Sequence, residues 1–249
     1  FPTRRSSDLG LNEDPEAVVG AGYAFGGKIT YPNDKHDWEA IARVYDDQFD
    51  PALGFVNRVG IREFSGRYRR RWRPEAPGIQ TIDTRLSGRI ITEQGRQVET
   101  GSFTWRVIDV QNPVRDGIRL EFEHRYEAVD TAFENFNVPV GRYHFDEVRI
   151  RFEGSQNRRI GGTWWAGYGT FFDGTRVRTN ADAFLRFTKH VQAGINYSYD
   201  KLRLPGGDEN IHVVRARISF LFTPDISWIT LLQYDSVNNS ITLNNRFRW

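Results

Sequence analysis

Five histidines, His36, His124, His144, His190 and His212, are the side chains here best suited to proton transfer or metal binding near neutral pH, and they are scattered along the chain. No two stand four apart as a helical metal site requires. His144 and Asp146 share one face of a strand, the arrangement in which a carboxylate orients an imidazole for general-base work. A barrel-embedded hydrolase would also need Ser or Asn across from them, whereas a hydrogen-bonded interfacial histidine, the commoner outcome, needs nothing more. Asp46, Asp47 and Asp50 near Asn57 offer the oxygen ligands that Ca²⁺ takes, but their spacing is not that of an EF-hand loop. Solvated loop carboxylates are the default reading. Gly161, Gly162, Gly167 and Gly169 surround Trp164 and Trp165 without the Gly-Lys-Ser/Thr that closes a phosphate loop. In a strand such glycines mark bends or close approaches. With Cys 0, disulfides, thiolate chemistry and cysteine-ligated metals are excluded. No catalytic residue, metal or cofactor is expected.

The charged residues are organised more tightly than the histidines. In Gly117–Ala128, Ile118, Leu120, Phe122, His124 and Tyr126 fall on one face of a strand, and Arg119, Glu121, Glu123, Arg125 and Glu127 on the other. A charge run of this kind is usually a solvated face. Here it recurs: Val148, Ile150 and Phe152 oppose Arg149 and Arg151; Phe103, Trp105 and Val107 oppose Thr104 and Arg106; Val214, Ala216, Ile218, Phe220 and Phe222 oppose Arg215 and Arg217. In a closed barrel, Arg119, Glu121, Glu123, Arg125, Arg149, Arg151, Arg215 and Arg217 line the lumen. There they either close it by crossing salt bridges or set a field that selects permeants. The balance of signs favours a structural or gated interior over an open pore.

The elements that must carry these faces are strands. From about residue 17 the pattern predicts thirteen of them, near 17–30, 37–47, 58–73, 78–92, 97–111, 117–128, 142–153, 159–172, 176–187, 191–203, 211–222, 226–234 and 241–249. No stretch of helical period interrupts them. Connections alternate between a short set rich in Pro or small polar residues (31–36, 74–77, 111–116, 154–157, 188–190, 223–225) and a set with the longest loops (48–57, 92–96, 129–141, 173–175, 205–210, 235–240). The DGT connection at 173–175 is a short exception. Up-and-down outer-membrane barrels put short turns on the periplasmic side and long loops outside, so the Pro-containing set is expected to be periplasmic. The predicted fold class is all-β, an up-and-down antiparallel transmembrane β-barrel that is incomplete, because bacterial single-chain barrels close with an even number of strands.

Composition agrees with this. Aromatic residues make up 14% of a chain that is only 39% hydrophobic, with a mean hydropathy of −0.59. Transmembrane strands need only about 9–11 residues with one apolar face, so such a chain spans a bilayer without an apolar run. Lys+Arg 34 against Asp+Glu 32 leaves a net charge of +2, which argues against bulk electrostatic attraction to nucleic acid. Lysine occurs only at 28, 35, 189 and 201. A GC-rich genome is the favoured reading of this bias, ahead of arginine's better fit to carboxylates inside a lumen. Methionine is absent, and residues 1–9, FPTRRSSDL, read as a translated sequencing adapter. The expected domains are therefore an artefact at 1–9 and a barrel domain at 10–249, truncated at both ends.

Two stretches, FDPALGFVNRVGIREF (49–64) and LRLPGGDENIHVVRARISFLFTPDISWITLLQYDSVNNSITLNNRFRW (202–249), closely resemble recurrent segments of the domain-of-unknown-function 5916 family, bacterial outer-membrane barrels usually preceded by a carbohydrate-binding family-nine-like domain. Phe49, Pro51, Gly54, Phe55 and Arg58 match the first motif. Leu204, Pro205, Gly206, Gly207 and Asp208, then Arg215, Gln233 and Tyr234, match the second. The resemblance extends in order and spacing over most of residues 17–249. It implies bacterial outer-membrane localisation, contact with lipid, an N-terminal domain of the same chain outside this sequence, a further strand after Trp249, and transport, secretion or surface handling of a glycan or small-molecule ligand. It supplies no catalytic residues. Two alternatives are a soluble β-rich carbohydrate-binding or glycosidase-associated module, with Trp164 and Trp165 stacking on sugars, and a barrel-embedded hydrolase using His144.

Overall fold

The computed structural model describes residues 22–50, 56, 58–93, 97–130 and 139–249. The expected adapter residues and the start of the first predicted strand lie outside them. The described chain is one thirteen-stranded antiparallel sheet with strands in sequence order: β1 (Ala24–Tyr31), β2 (His36–Tyr45), β3 (Ile61–Trp72), β4 (Thr81–Glu93), β5 (Val98–Gln111), β6 (Gly117–Val129), β7 (Gly141–Glu153), β8 (Ile160–Phe171), β9 (Gly174–Arg186), β10 (Val191–Leu204), β11 (Gly207–Leu221), β12 (Ser227–Asp235) and β13 (Ser240–Arg248). Every strand pairs with its sequence neighbours. Among the described residues β1 pairs only with β2, and β13 only with β12.

The two faces of the sheet are opposite in character. Residues directly across from each other in an antiparallel pair share a face, so the register extends each alternating row across the sheet. On one face the acidic side chains Glu63, Asp109 and Glu147 are each 6% exposed. On the other, Phe64, Val148 and Ile195 are 51%, 53% and 50% exposed. Among the described residues the strand contacts join neighbouring strands, so the charged, inner face is buried by its own long side chains, while the apolar rows of the other, outer face stand exposed. A water-soluble fold does the reverse.

Aromatic side chains gather at both ends of the outer face. Toward the Pro-containing turns, Tyr31 stacks on Trp38, Phe152 on Trp164, and Phe220 packs on Trp228. Toward the other end lie Phe25, Phe64, Tyr126, Tyr168 and Tyr234. Phe64 and Trp72 are eight residues apart on β3, about 26 Å at ~3.3 Å per residue. With a tilt of about 40° this is roughly 20 Å of height, close to the ~25 Å apolar band of outer-membrane barrels.

The predicted strand positions hold, with three local corrections. The expected loop 205–210 does not exist: Leu204 pairs with Gly207 and Arg203 with Asp208, so Pro205-Gly206 alone joins β10 to β11. Gly207 has φ 142, a conformation open to glycine and strained for other residues. Likewise β9 begins at Gly174, leaving Phe172-Asp173 as the turn. The longest connections, 46–60 and 130–140, do fall on the expected side, but not every connection there is long. Finally, the row Phe103, Trp105, Val107 is broken by a β-bulge: Arg106 pairs with Glu121 but Ile108 with Leu120. Ile108 takes the outward place and Asp109 turns inward.

Candidate functional site

The inner face carries a ladder of charge from β2 to β10, built because alternate positions on most of these strands are Arg, Asp or Glu and the register aligns them. β8 has no charged residue, and Arg178 on β9 reaches over its Gly167 to Glu147 on β7. At its β2 to β4 side, Asp37 meets Arg67 at 3.1 Å, Arg89 donates Nε–H to Glu63 at 2.8 Å, and Arg71 grips Asp83 with two bonds of 2.8 Å. In the middle, Asp109 accepts from Arg119 at 2.8 Å and lies 3.5 Å from Arg106, whose Nε–H goes to Glu121 at 2.9 Å. Arg149 is shared by Glu121, Glu123 and Glu147. Toward β9 and β10, Arg178 donates Nε–H to Glu147 at 2.9 Å, and Arg176 pairs with Asp200. Most of these pairs are half-buried or deeper, where a charge must be matched.

Glu147 is the hub of this ladder. Arg149 and Arg178 hold its carboxylate from both sides, and both guanidinium groups also lie over the Trp165 ring, at 5.0 and 5.6 Å from its centroid. Gly167, opposite Arg149 and Arg178, makes room for it: a Cβ there would stand 3.0 Å from the Glu147 Oε1. At the loop end of the same face, Val129, Tyr143 and Phe145 form a buried apolar cluster backed by Phe171 and Phe172. Arg125 and Arg176 lie over its rings. The charged ladder therefore ends in an aromatic cap.

Six of the eight predicted lumen residues, Arg119, Glu121, Glu123, Arg125, Arg149 and Arg151, stand on this inner face and join its ion pairs. Arg215 and Arg217 share the face but bind neutral groups, Gln233 at 3.2 Å and Ser219 at 3.3 Å. Glu147, Arg176 and Arg178 were legible by the same alternation and were missed. Asp109 was not legible, since only the bulge turns it inward. Of the positions that carry the sequence resemblance, Phe49 packs on Tyr45, and Arg58 reaches Glu99 and Thr100, each at 3.0 Å. Pro51, Gly54 and Phe55 lie outside the described residues. Leu204 to Asp208 form the β10–β11 hairpin.

Compared with protein families, curated proteins and solved structures, the chain matches none.

The histidine chemistry lies on the opposite, outer face. Asp146 Oδ1 is 2.7 Å from His124 Nδ1, and His124 Nε2 is 3.3 Å from His144 Nδ1, with Tyr126 packed on His144. Opposite Asp146 on the other side is Thr170, whose Oγ1 accepts the Asp146 backbone N–H at 2.8 Å. Among the described residues the partners of His144 are His124 and Tyr126, with no serine or asparagine among them. No group of three His, Asp or Glu there is placed to hold a metal, and Asn57 of the Ca²⁺ idea lies outside the described residues. Trp164 and Trp165 point to opposite faces, Trp164 against Phe152 outside and Trp165 beneath two arginines inside, so they form no shared sugar platform.

Proposed function

We propose that this chain forms the wall of a bacterial outer-membrane β-barrel of the domain-of-unknown-function 5916 kind, with a closed or gated interior and a role in transport, secretion or surface-ligand handling. One observation carries the reading: large apolar side chains are exposed along a single sheet whose other face buries Glu63, Asp109 and Glu147. Lipid is the environment in which that inversion is favourable, because apolar rows need an apolar solvent and inward charges can satisfy one another. Aromatic residues at both rims and strands of suitable length point the same way. In the complete barrel the edges of β1 and β13 must each be paired, since open sheet edges do not occur in lipid.

The cross-linked ladder and its aromatic cap favour a plugged or gated interior. Full-length protein in planar bilayers is expected to show little constitutive conductance, and a large steady conductance would contradict the closed interior. Carbonate washing of envelopes tests the membrane itself: release of full-length protein into the soluble fraction would favour the soluble carbohydrate-binding alternative.

A further inference from the structure

Among the described residues Arg85 stands on the inner face with no carboxylate partner, and unlike Arg215 and Arg217 it has no neutral acceptor for its Nε–H either. Arg85 on β4 lies directly opposite Arg69 on β3 and Arg106 on β5, and its Nε is buried with no hydrogen-bond partner. The neighbouring carboxylates are committed elsewhere. Asp83 is held bidentately by Arg71, Asp109 by Arg119 and Arg106, and Glu121 by Arg106 and Arg149. Asp37 forms an ion pair with Arg67 at 3.1 Å and reaches Arg69 only at 4.0 Å; its Oδ1 and the Arg69 Nε are both buried without a hydrogen bond, and Asp37 on β2 is two strands from Arg85. Like charges directly opposite in a sheet are destabilising, and an unmatched guanidinium in a half-buried row is costly.

A second feature marks the same spot. The bulge at Val107–Ile108 lies across from Thr84, between the Asp83–Asp109 and Arg85–Arg106 pairs, and Thr84 donates its hydroxyl to the Arg106 carbonyl there. Bulges re-aim side chains and are over-represented next to active sites. This one turns Asp109 inward, where it anchors Arg106 and Arg119 and leaves Arg85 free.

We infer that the inner face carries an oxyanion site centred on Arg85 and flanked by Arg69 and Arg106, which takes a phosphate group, free or esterified to a small solute. The register spreads the three forks over adjacent strands at spacings of about 4.8 Å. A carboxylate offers one edge to one fork, whereas a phosphate presents terminal oxygens in several directions and is matched by several guanidinium groups. The inference deepens the proposed function by naming a ligand class for the interior, and it rests on the barrel reading only for the route by which the ligand enters.

The test uses full-length protein in detergent micelles, titrated calorimetrically with inorganic phosphate and separately with glycerol phosphate at constant ionic strength. Saturable binding of at least one probe is expected, at least tenfold weaker in R85Q and several-fold weaker in R85K, which keeps the charge but loses the fork. R215Q, whose arginine is bound to Gln233 on β11, is expected to bind like the parent. The ratio of the two affinities tells a free ion from a phosphorylated solute. Equal binding by parent and R85K, equal binding by parent and a folded R85Q, or no binding of either probe at millimolar concentration would overturn the site. Phosphate binding by a protein that carbonate releases from the envelope would keep the site and remove the membrane reading, so the two failures are distinguishable.

Discussion

Replacing Glu147 by Ala removes the hub of the inner ladder, and the geometry allows its cost to be worked out. Arg178 donates two hydrogen bonds to Glu147 Oε2 and has no other carboxylate partner among the described residues. Breaking a buried pair by deleting one partner costs about 3–5 kcal/mol. The Arg178 side chain retains 21% exposure, and water reaching it discounts that figure to about 2 kcal/mol. Arg149 keeps Glu123 at 3.3 Å and Glu121 at 3.6 Å, so its loss adds about 1 kcal/mol. The expected total is about 3 kcal/mol, read as a lower denaturant midpoint at unchanged slope in detergent-solubilised full-length protein. In a double-mutant cycle with Arg178→Ala the coupling should be about 2 kcal/mol. A loss under about 1 kcal/mol with no coupling would refute the role of Glu147 as a hub.

Other perturbations separate the faces and ends of the sheet. Ile195→Arg places a charge on an outward row near mid-height and is expected to cost about 2–4 kcal/mol in lipid vesicles; a neutral effect there would contradict lipid exposure. Gly207→Ala forces a side chain onto φ 142 and should weaken the β10–β11 hairpin by about 1–2 kcal/mol, seen as faster amide exchange at its end. In the β5–β6 turn the Asp116 carboxyl is held below its usual range, first by the Ser155 backbone N–H, then by Asn112 and Arg158. A depressed carboxyl stabilises above its unfolded pKa of about 3.9 and loses that contribution as pH falls through its folded value. The protection of the Ser155 amide, its exchange rate relative to the intrinsic rate at the same pH, should therefore fall as pH drops below about 4 in the parent, while Asp116→Asn should show low protection that does not change with pH.

The fold was legible because period-two alternation is strict: Ile118, Leu120 and Phe122 against Arg119, Glu121 and Glu123 dictate a strand, and repetition of that pattern dictates a sheet of strands in sequence order. Alternation within one strand does not reveal cross-strand neighbours. The chain alone shows that His144 and Asp146 share a face, but register brings His124 and Tyr126 to them instead of a serine. The Val107–Ile108 bulge was invisible because both residues are apolar and β-branched, so nothing in their type marks which one is extra. With the bulge went the inward placement of Asp109 and the isolation of Arg85. The β10–β11 turn was misread as longer because Gly, Asp, Glu and Asn at 207–210 look like loop residues, although Gly207 to Asn210 extend the strand past the apolar rows, where polar side chains meet water.

The inside-out arrangement is tested most directly along β10. The chain has no cysteine, so single cysteines at Ile195, Asn196, Tyr197 and Ser198 of full-length protein in vesicles can each carry a fluorophore without background. Lipid-facing alternation predicts strong quenching by brominated lipid at 195 and 197 and weak quenching at 196 and 198. Uniform quenching by a water-soluble agent at all four positions, with none from lipid, would contradict it.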